Sequence, residues 1–387
     1  MVAPHATDSR EKRILCIGPM PPPMHGQAFV FAETYKILGM YRRYLVNVNV
    51  SGKSLPRTLC IAAVGVVKTL MYWLTKKISI VYFTCSRSLR GSLVDIIVIL
   101  LSRMAGVTLV NHIHGSDFRR FYDDCPGVYR RIIELVYQKI DVSIVPMKGM
   151  DAQISSLFPR MDVTIIHNFI SDDVRHVGRK PRSETIRILF LSNIMKSKGI
   201  MELLDAFSIL SREKHAVSLT IAGEIMGDRW WNKERMEREF FRRIEELRLS
   251  SNGNINYRGF VTGKEKAHLL CESDILVLPS YNEALPLAII EAMHAGNAII
   301  ATKTLYLDHY ISDNEGVLVP IGDVHALVQA IRYLTANEST LREIQNHNKN
   351  ITGDRFSFAR YRNDIILFFE SLEGNSVAES NSRSGLS

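Results

Sequence analysis

The chain lacks most of the signatures that assign a function at sight. It has only 5 cysteines in 387 residues (Cys16, Cys60, Cys85, Cys125 and Cys271), none paired at metal-ligand or redox-motif spacing. Scattered cysteines act as small apolar side chains and fit a reducing compartment. There is no G-x-G-x-x-G turn, which argues against a nicotinamide dehydrogenase. There is no Walker A loop either, because the run from Gly259 to Lys264 has the wrong spacing. No His/Cys cluster has zinc spacing, and no Asp-x-Asp offers two carboxylates to a divalent ion, so no metal is expected. No apolar run is long enough to span a membrane, and Met1 to Arg13 has no apolar signal core. A cytoplasmic location is the expectation.

What is present is a globular composition, 46% hydrophobic and 23% charged, and a length that suits two domains. The 48 basic residues exceed the 40 acidic ones by +8. A basic surface can meet nucleic acid, anionic lipid or phosphorylated substrates. No nucleic-acid module is recognisable and the basic residues are not interleaved with exposed aromatics, so nucleic acid is not an expected partner. Lipid headgroups or a pyrophosphate-bearing acceptor remain.

Apolar strands alternate with helical stretches along almost the whole chain, the pattern of parallel sheets covered on both faces. In the first half the expected strands are Arg13–Gly18, Tyr44–Val50, Ile78–Thr84, Val107–His112, Val142–Pro146 and Val163–His167, with helices including Gln27–Leu38, Leu93–Met104 and Val128–Lys139. The polar, turn-rich run from Asn168 to Glu184 breaks the pattern and reads as a linker. Strands then resume at Ile186–Ser192, Ser218–Ala222, Ile255–Arg258, Ile275–Leu278, Ala298–Ala301 and Gly316–Val319. Helices are expected at Ile200–Leu210, Lys233–Leu249, Lys264–Glu272, Leu287–His294 and Val324–Leu334. Thr262 and Glu265 have capping-box spacing. Phe356–Leu372 reads as a last helix, and the Ser- and Asn-rich tail 373–387 as disordered.

The most informative stretch runs from Tyr281 to Met293. It places Glu283 on a loop at the carboxyl end of the apolar strand Ile275–Leu278, and Glu291 inside the following helix. Pro286 suits the helix start and Gly296 its end. In open α/β sheets ligands bind at carboxyl strand ends. Helix-start N–H groups favour an anion, and carboxylates suit hydroxyl donors. The arrangement describes a phosphate-bearing, hydroxyl-rich ligand such as a nucleotide sugar.

These residues, with the following Glu291-Ala292-Met293 and Gly296, resemble the EX7E motif of retaining GT-B glycosyltransferases, and more narrowly glycosyltransferase family 4, the group 1 transferases of polysaccharide biosynthesis. The resemblance covers most of residues 13–370. It implies two Rossmann-like domains facing a central cleft: an acceptor-side domain at 1–170, a linker at 171–184, a nucleotide-sugar domain at 185–355, and a helix at 356–372 that crosses back to the first domain. It implies that Glu291 holds the ribose and Glu283 the donor sugar, with the Ala284-Leu285-Pro286-Leu287 backbone close to the donor. Many members have Gly at the position of Ala284. In Ser192 to Ile200, Lys198 matches the lysine that binds the donor diphosphate. Most members have Arg at the position of Asn193, so either Lys196 supplies the second cation or the site has one. Gly26, after the first strand, matches a loop glycine near the phosphates. His114, at a strand end, matches a histidine near the reacting sugar, whereas His112 is read as facing the other side of the strand and as structural. Arg258, Gly259 and Phe260 match the segment that holds the nucleobase.

The implied reaction is metal-independent transfer of a sugar from a nucleoside diphosphate to an acceptor hydroxyl, with no cofactor beyond the donor itself. Two alternatives are a nucleotide-sugar epimerase of the same fold and a non-catalytic partner subunit. The apolar segment Leu59–Leu74, followed by Lys76 and Lys77, is either a sheet-covering helix or a membrane-surface helix. With the arginines of the first half, it makes an anionic membrane surface and a lipid-linked oligosaccharide acceptor the expected partners.

Overall fold

The computed structural model describes residues 12–22, 24–48, 55–175, 184–213, 215–250, 254–304 and 306–372. The tail 373–387, most of the expected linker (176–183) and the end of the expected strand Tyr44–Val50 lie outside the described residues. The chain forms two compact units: residues up to His167 together with those from Ala359 on, and Asn168–Phe358.

The first unit runs β1 (Arg13–Gly18), α1 (Gly26–Ile37), β2 (Arg42–Asn47), α2 (Leu55–Lys76), β3 (Ile80–Phe83), α3 (Leu89–Met104), β4 (Thr108–His112), α4 (Phe118–Asp124), α5 (Gly127–Tyr137), β5 (Val142–Val145), α6 (Met150–Leu157) and β6 (Asp162–Ile165). The strands form one parallel sheet in the order β2-β1-β3-β4-β5-β6. Ile80-Val81-Tyr82-Phe83 is buried throughout, as a central strand covered on both faces requires. The order reverses at β1: the chain steps out to β2, then returns on the other side through β3. That leaves a crevice between the carboxyl ends of β1 and β3, the place where doubly wound sheets bind ligands.

The second unit runs α7 (Asp172–Arg175), β7 (Ile186–Leu191), α8 (Ile200–Arg212), β8 (Val217–Ala222), α9 (Lys233–Ser250), β9 (Ile255–Tyr257), α10 (Gly263–Glu272), β10 (Ile275–Leu278), α11 (Leu287–His294), β11 (Ala298–Thr302), β12 (Gly316–Val319), α12 (Val324–Ala336) and α13 (Glu338–Arg355). Its parallel sheet has the order β12-β11-β10-β7-β8-β9, with the equivalent reversal between β7 and β10. The last helix, α14 (Phe358–Ser371), packs Tyr361, Ile365 and Phe369 into the first unit. There the Tyr361 hydroxyl lies 2.5 Å from Thr34 Oγ1, and buried Lys12 donates to the carbonyl of Phe369 at the helix end.

Three expectations are corrected. Asn168 and Ser171 are not linker: both are buried in the second unit, and Asn168 donates to the Leu285 carbonyl at 2.9 Å. Thr262 caps α10 without a side-chain hydrogen bond, and Glu265 bonds Arg258 at 3.1 Å instead of closing a capping box. Helix α13 has no counterpart in the sequence reading. Its buried face carries Gln345, Asn348 and Thr352, which interrupt the apolar period. Gln345 and Asn348 face inward to serve carbonyls, at 2.9 Å for Asp274 and 2.8 Å for Asn297.

Candidate functional site

In the second unit the loops after β7 and β10 meet at the reversal. Gly199 has φ +71, and a side chain there would strike the carbonyl of Pro279. A glycine therefore lets the two loops touch, and the Tyr281 N–H donates to Ser197 O at 2.9 Å. Asp228 fixes the same turn by accepting from the Ser197 N–H at 2.6 Å. Lys198 and Glu283 consequently meet, with Nζ 2.6 Å from Oε1.

Lys196 points elsewhere. It pairs with Glu202, which also accepts from the Tyr281 hydroxyl at 2.8 Å. The described contacts thus pair Lys198, and not Lys196, with Glu283. Asn193 is half-buried in the loop just after β7.

Helix α11 starts at Leu287 with Pro286 at its N-cap, and its first N–H groups have no acceptor inside the helix. Ala284 and Leu285 are buried beneath this start. One helical turn further in, Glu291 is 1% exposed. Its Oε1 accepts from Lys266 Nζ at 2.6 Å and from Ser171 Oγ at 2.9 Å. The sequence reading contained neither partner. Lys266 lies on a different helix, and Ser171 was assigned to the linker. At the end of β9, Arg258 and Phe260 are exposed around Gly259, whose φ is +70.

In the first unit Gly26 opens α1 and is exposed, while His25 caps the helix, its Nδ1 accepting from the Ala28 N–H at 3.3 Å. His112 does not face away from His114. Residues two apart on an extended chain share a side, and the two rings lie 4.0 Å apart. His112 Nδ1 is 2.8 Å from the Tyr82 hydroxyl, and burial holds its pKa down to about 3. Burial, then the proximity of His112, Arg87 and His25, pushes His114 well below the usual histidine range. Both of its ring nitrogens are buried without a hydrogen-bond partner. His114 is therefore a neutral imidazole, able to donate one N–H and accept at the other nitrogen.

Beside these histidines, the β1–β3 crevice opens into a cavity of about 320 Å³ whose lining includes His25, Thr84, Arg87 and Asp117. Thr84 and Arg87 were not among the expected site residues. The signal was the polar run Thr84-Cys85-Ser86-Arg87-Ser88 directly after an apolar strand.

Residues 173–351 match the family described as glycosyl transferases group 1. The chain is 26% identical over 243 residues to glycogen synthase of Mycobacterium tuberculosis, an alignment covering 60% of this chain and 56% of that protein. The chain thus spans little more than half the length of that relative. Among solved structures it is similar to sucrose-phosphate synthase from Thermosynechococcus elongatus, with TM-score 0.74, 15% identity, and coverage of 94% of this chain and 100% of that one. It is also similar to Anabaena HepE in complex with UDP and glucose, with TM-score 0.68, 15% identity, and 93% and 100% covered. These likenesses establish the GT-B type of fold.

Proposed function

From the match of residues 173–351 to the group 1 glycosyl transferases, we propose that the chain transfers a sugar from a nucleoside diphosphate to an acceptor hydroxyl. The observation that carries this is the meeting of Lys198 and Glu283 at the reversal of the second sheet. Without a ligand the two charges neutralise each other. A donor diphosphate would take the ammonium and the start of α11, and release the Glu283 carboxylate to the sugar hydroxyls. Glu291 has its described contacts on Oε1, so Oε2 serves as the acceptor for a ribose hydroxyl. The backbone at Gly259, between Arg258 and Phe260, takes the base.

One ammonium and a helix start then stabilise the departing diphosphate, without a divalent ion. The glycosidic bond to phosphate breaks as the acceptor oxygen bonds on the same face, and the acceptor proton passes to the leaving phosphate. In the first unit the neutral His114 offers an N–H to a hydroxyl group. The intact Lys198, Glu283 and Glu291 argue against the partner-subunit alternative. The family assignment favours transfer over epimerisation.

The acceptor side is assigned to the first unit, and its surface supports a peripheral membrane location. Helix α3 exposes Leu89, Leu93, Ile97, Leu100 and Met104 at helical spacing, the last 82% exposed. On one side of it α2 exposes Val64, Val67, Met71 and Leu74; on the other α5 exposes Val128, Ile132 and Leu135. Among the described residues of α2, Gly65 and Thr69 are buried, and a Cβ on Gly65 would touch Val48 at 3.3 Å. One face of the helix thus meets the sheet, and the opposite, exposed face is the one we assign to a membrane surface. Exposed Lys68, Arg90 and Arg131 lie among these stripes. Such a surface suits an anionic bilayer and a lipid-linked acceptor. Among the described residues no helix is long and apolar enough to cross a membrane.

Thermal unfolding against a panel of nucleotide sugars tests the transfer reading, because a ligand that binds only the folded state raises stability by mass action. At least one member should raise the midpoint; a panel with no effect contradicts the assignment.

A further inference from the structure

We propose that the cavity at the β1–β3 crevice is a subsite for a phosphoryl group carried by the acceptor, with Arg87 and Thr84 as its main ligands. The word acceptor rests on the transfer reading; the anion site itself rests on the first unit alone.

Thr84 is 6% exposed, lines the cavity, and its hydroxyl has no hydrogen-bond partner. A buried hydroxyl left unpaired is unfavourable, and a ligand oxygen would complete it. Arg87 lies across the turn after β4, where a side chain on Gly115 would strike its guanidinium. Ser88 caps α3, its Oγ accepting from the Gly91 N–H at 3.2 Å, so its own proton is available to a further acceptor. The start of this 16-residue helix adds the positive end of its dipole. His25 accepts at Nδ1, so the proton of its neutral ring sits on Nε2, a further uncharged donor.

These donors come from two segments of chain, the loop before α1 and the turn from β3 into α3, and line one cavity, which suits the several oxygens of a phosphoryl group. The volume of about 320 Å³ is at the lower end of small-molecule pockets, roughly 300–1,000 Å³, and exceeds the needs of phosphate alone. A phosphate ester with part of its sugar or alkyl chain fits that description.

Among the lining residues, Asp117 opposes the anion. Asp117 pairs with Arg87 at 2.5 Å, but its side chain is 41% exposed. A half-exposed pair is weak, and a doubly charged phosphate competes well for the guanidinium. Asp117 also makes no capping hydrogen bond at the start of α4, so replacing it leaves that helix intact.

The experiment is calorimetry of inorganic phosphate on the full chain and on Arg87→Met, Thr84→Val and Asp117→Asn, with nucleoside diphosphate titrated in parallel. Phosphate should bind about 10- to 150-fold more weakly to Arg87→Met, the range for one lost charge-assisted hydrogen bond. It should bind more weakly to Thr84→Val and more tightly to Asp117→Asn, with nucleotide affinity unchanged in all three. Equal phosphate binding by wild type and Arg87→Met, or no tightening in Asp117→Asn, overturns the proposal. If phosphate behaves as expected and no nucleoside diphosphate binds, the transfer reading fails and the anion site stands. Competition by glucose 1-phosphate identifies a soluble phosphosugar as the source. Competition only by vesicles bearing a polyprenyl phosphate identifies a lipid.

Discussion

Glu291 and Lys266 form an ion pair, 2.6 Å from Oε1 to Nζ, with 2% of the glutamate side chain and 21% of the lysine side chain exposed. A carboxylate held this deep is tolerable only because it is paired and accepts a second hydrogen bond from Ser171. Lys266→Met should therefore destabilise the second unit by about 3 kcal/mol, the lower end of the range for breaking a buried pair. Adding Glu291→Gln should restore more than half of that loss, because it removes the stranded charge. Urea unfolding of the single and double variants checks this. A loss within about 0.5 kcal/mol, typical of a plain surface substitution, would mean the pair is solvated.

Asp95 provides a pH signature in the first unit. Burial pushes its carboxyl from 3.8 up to about 7, against the opposing hydrogen bonds from the Ser86 N–H and the Tyr137 hydroxyl. The folded pKa exceeds the unfolded one, so the folded state binds more protons between those values. The contribution is fully present below about pH 4 and is lost as pH rises through about 7. The stability of wild type minus that of Asp95→Asn should fall across this window and level off above it. A difference that is flat with pH would show that the carboxyl titrates normally.

Much of this was legible in the sequence because parallel strands buried on both faces are short apolar runs, and β10 and β11 stand out as such. The Glu283–Glu291 spacing and Lys198 were legible because they sit where a strand runs into a helix. What was not legible depends on contacts distant in sequence. Lys266 and Ser171 are 25 and 120 residues from Glu291, and no local pattern marks them as its partners. The buried face of α13 mixes Leu341 and Ile344 with Gln345 and Asn348, which pair with carbonyls, so it carries no apolar periodicity. The side shared by His112 and His114 is legible in the sequence itself, because residues two apart along a strand face the same way.

The exposed stripes of α2, α3 and α5 predict binding to anionic vesicles at low salt. Each basic residue near an anionic surface adds about 1 kcal/mol, falling off within a Debye length. Leu93→Glu with Ile97→Glu should abolish flotation with the vesicles and leave nucleotide binding intact. Folded wild type that stays with the soluble fraction in vesicles with and without anionic lipid would refute the membrane reading and favour a soluble acceptor.

The central claim is that Lys198 and the start of α11 hold a diphosphate while Glu283 serves the sugar. Calorimetry of free nucleoside diphosphates, with excess chelator present, tests it most directly on wild type, Lys198→Met and Glu283→Gln. At least one nucleotide should bind wild type, about 10- to 150-fold more weakly to Lys198→Met and nearly as well to Glu283→Gln. No binding to wild type until magnesium or manganese is restored, or equal losses in both variants, would contradict the account.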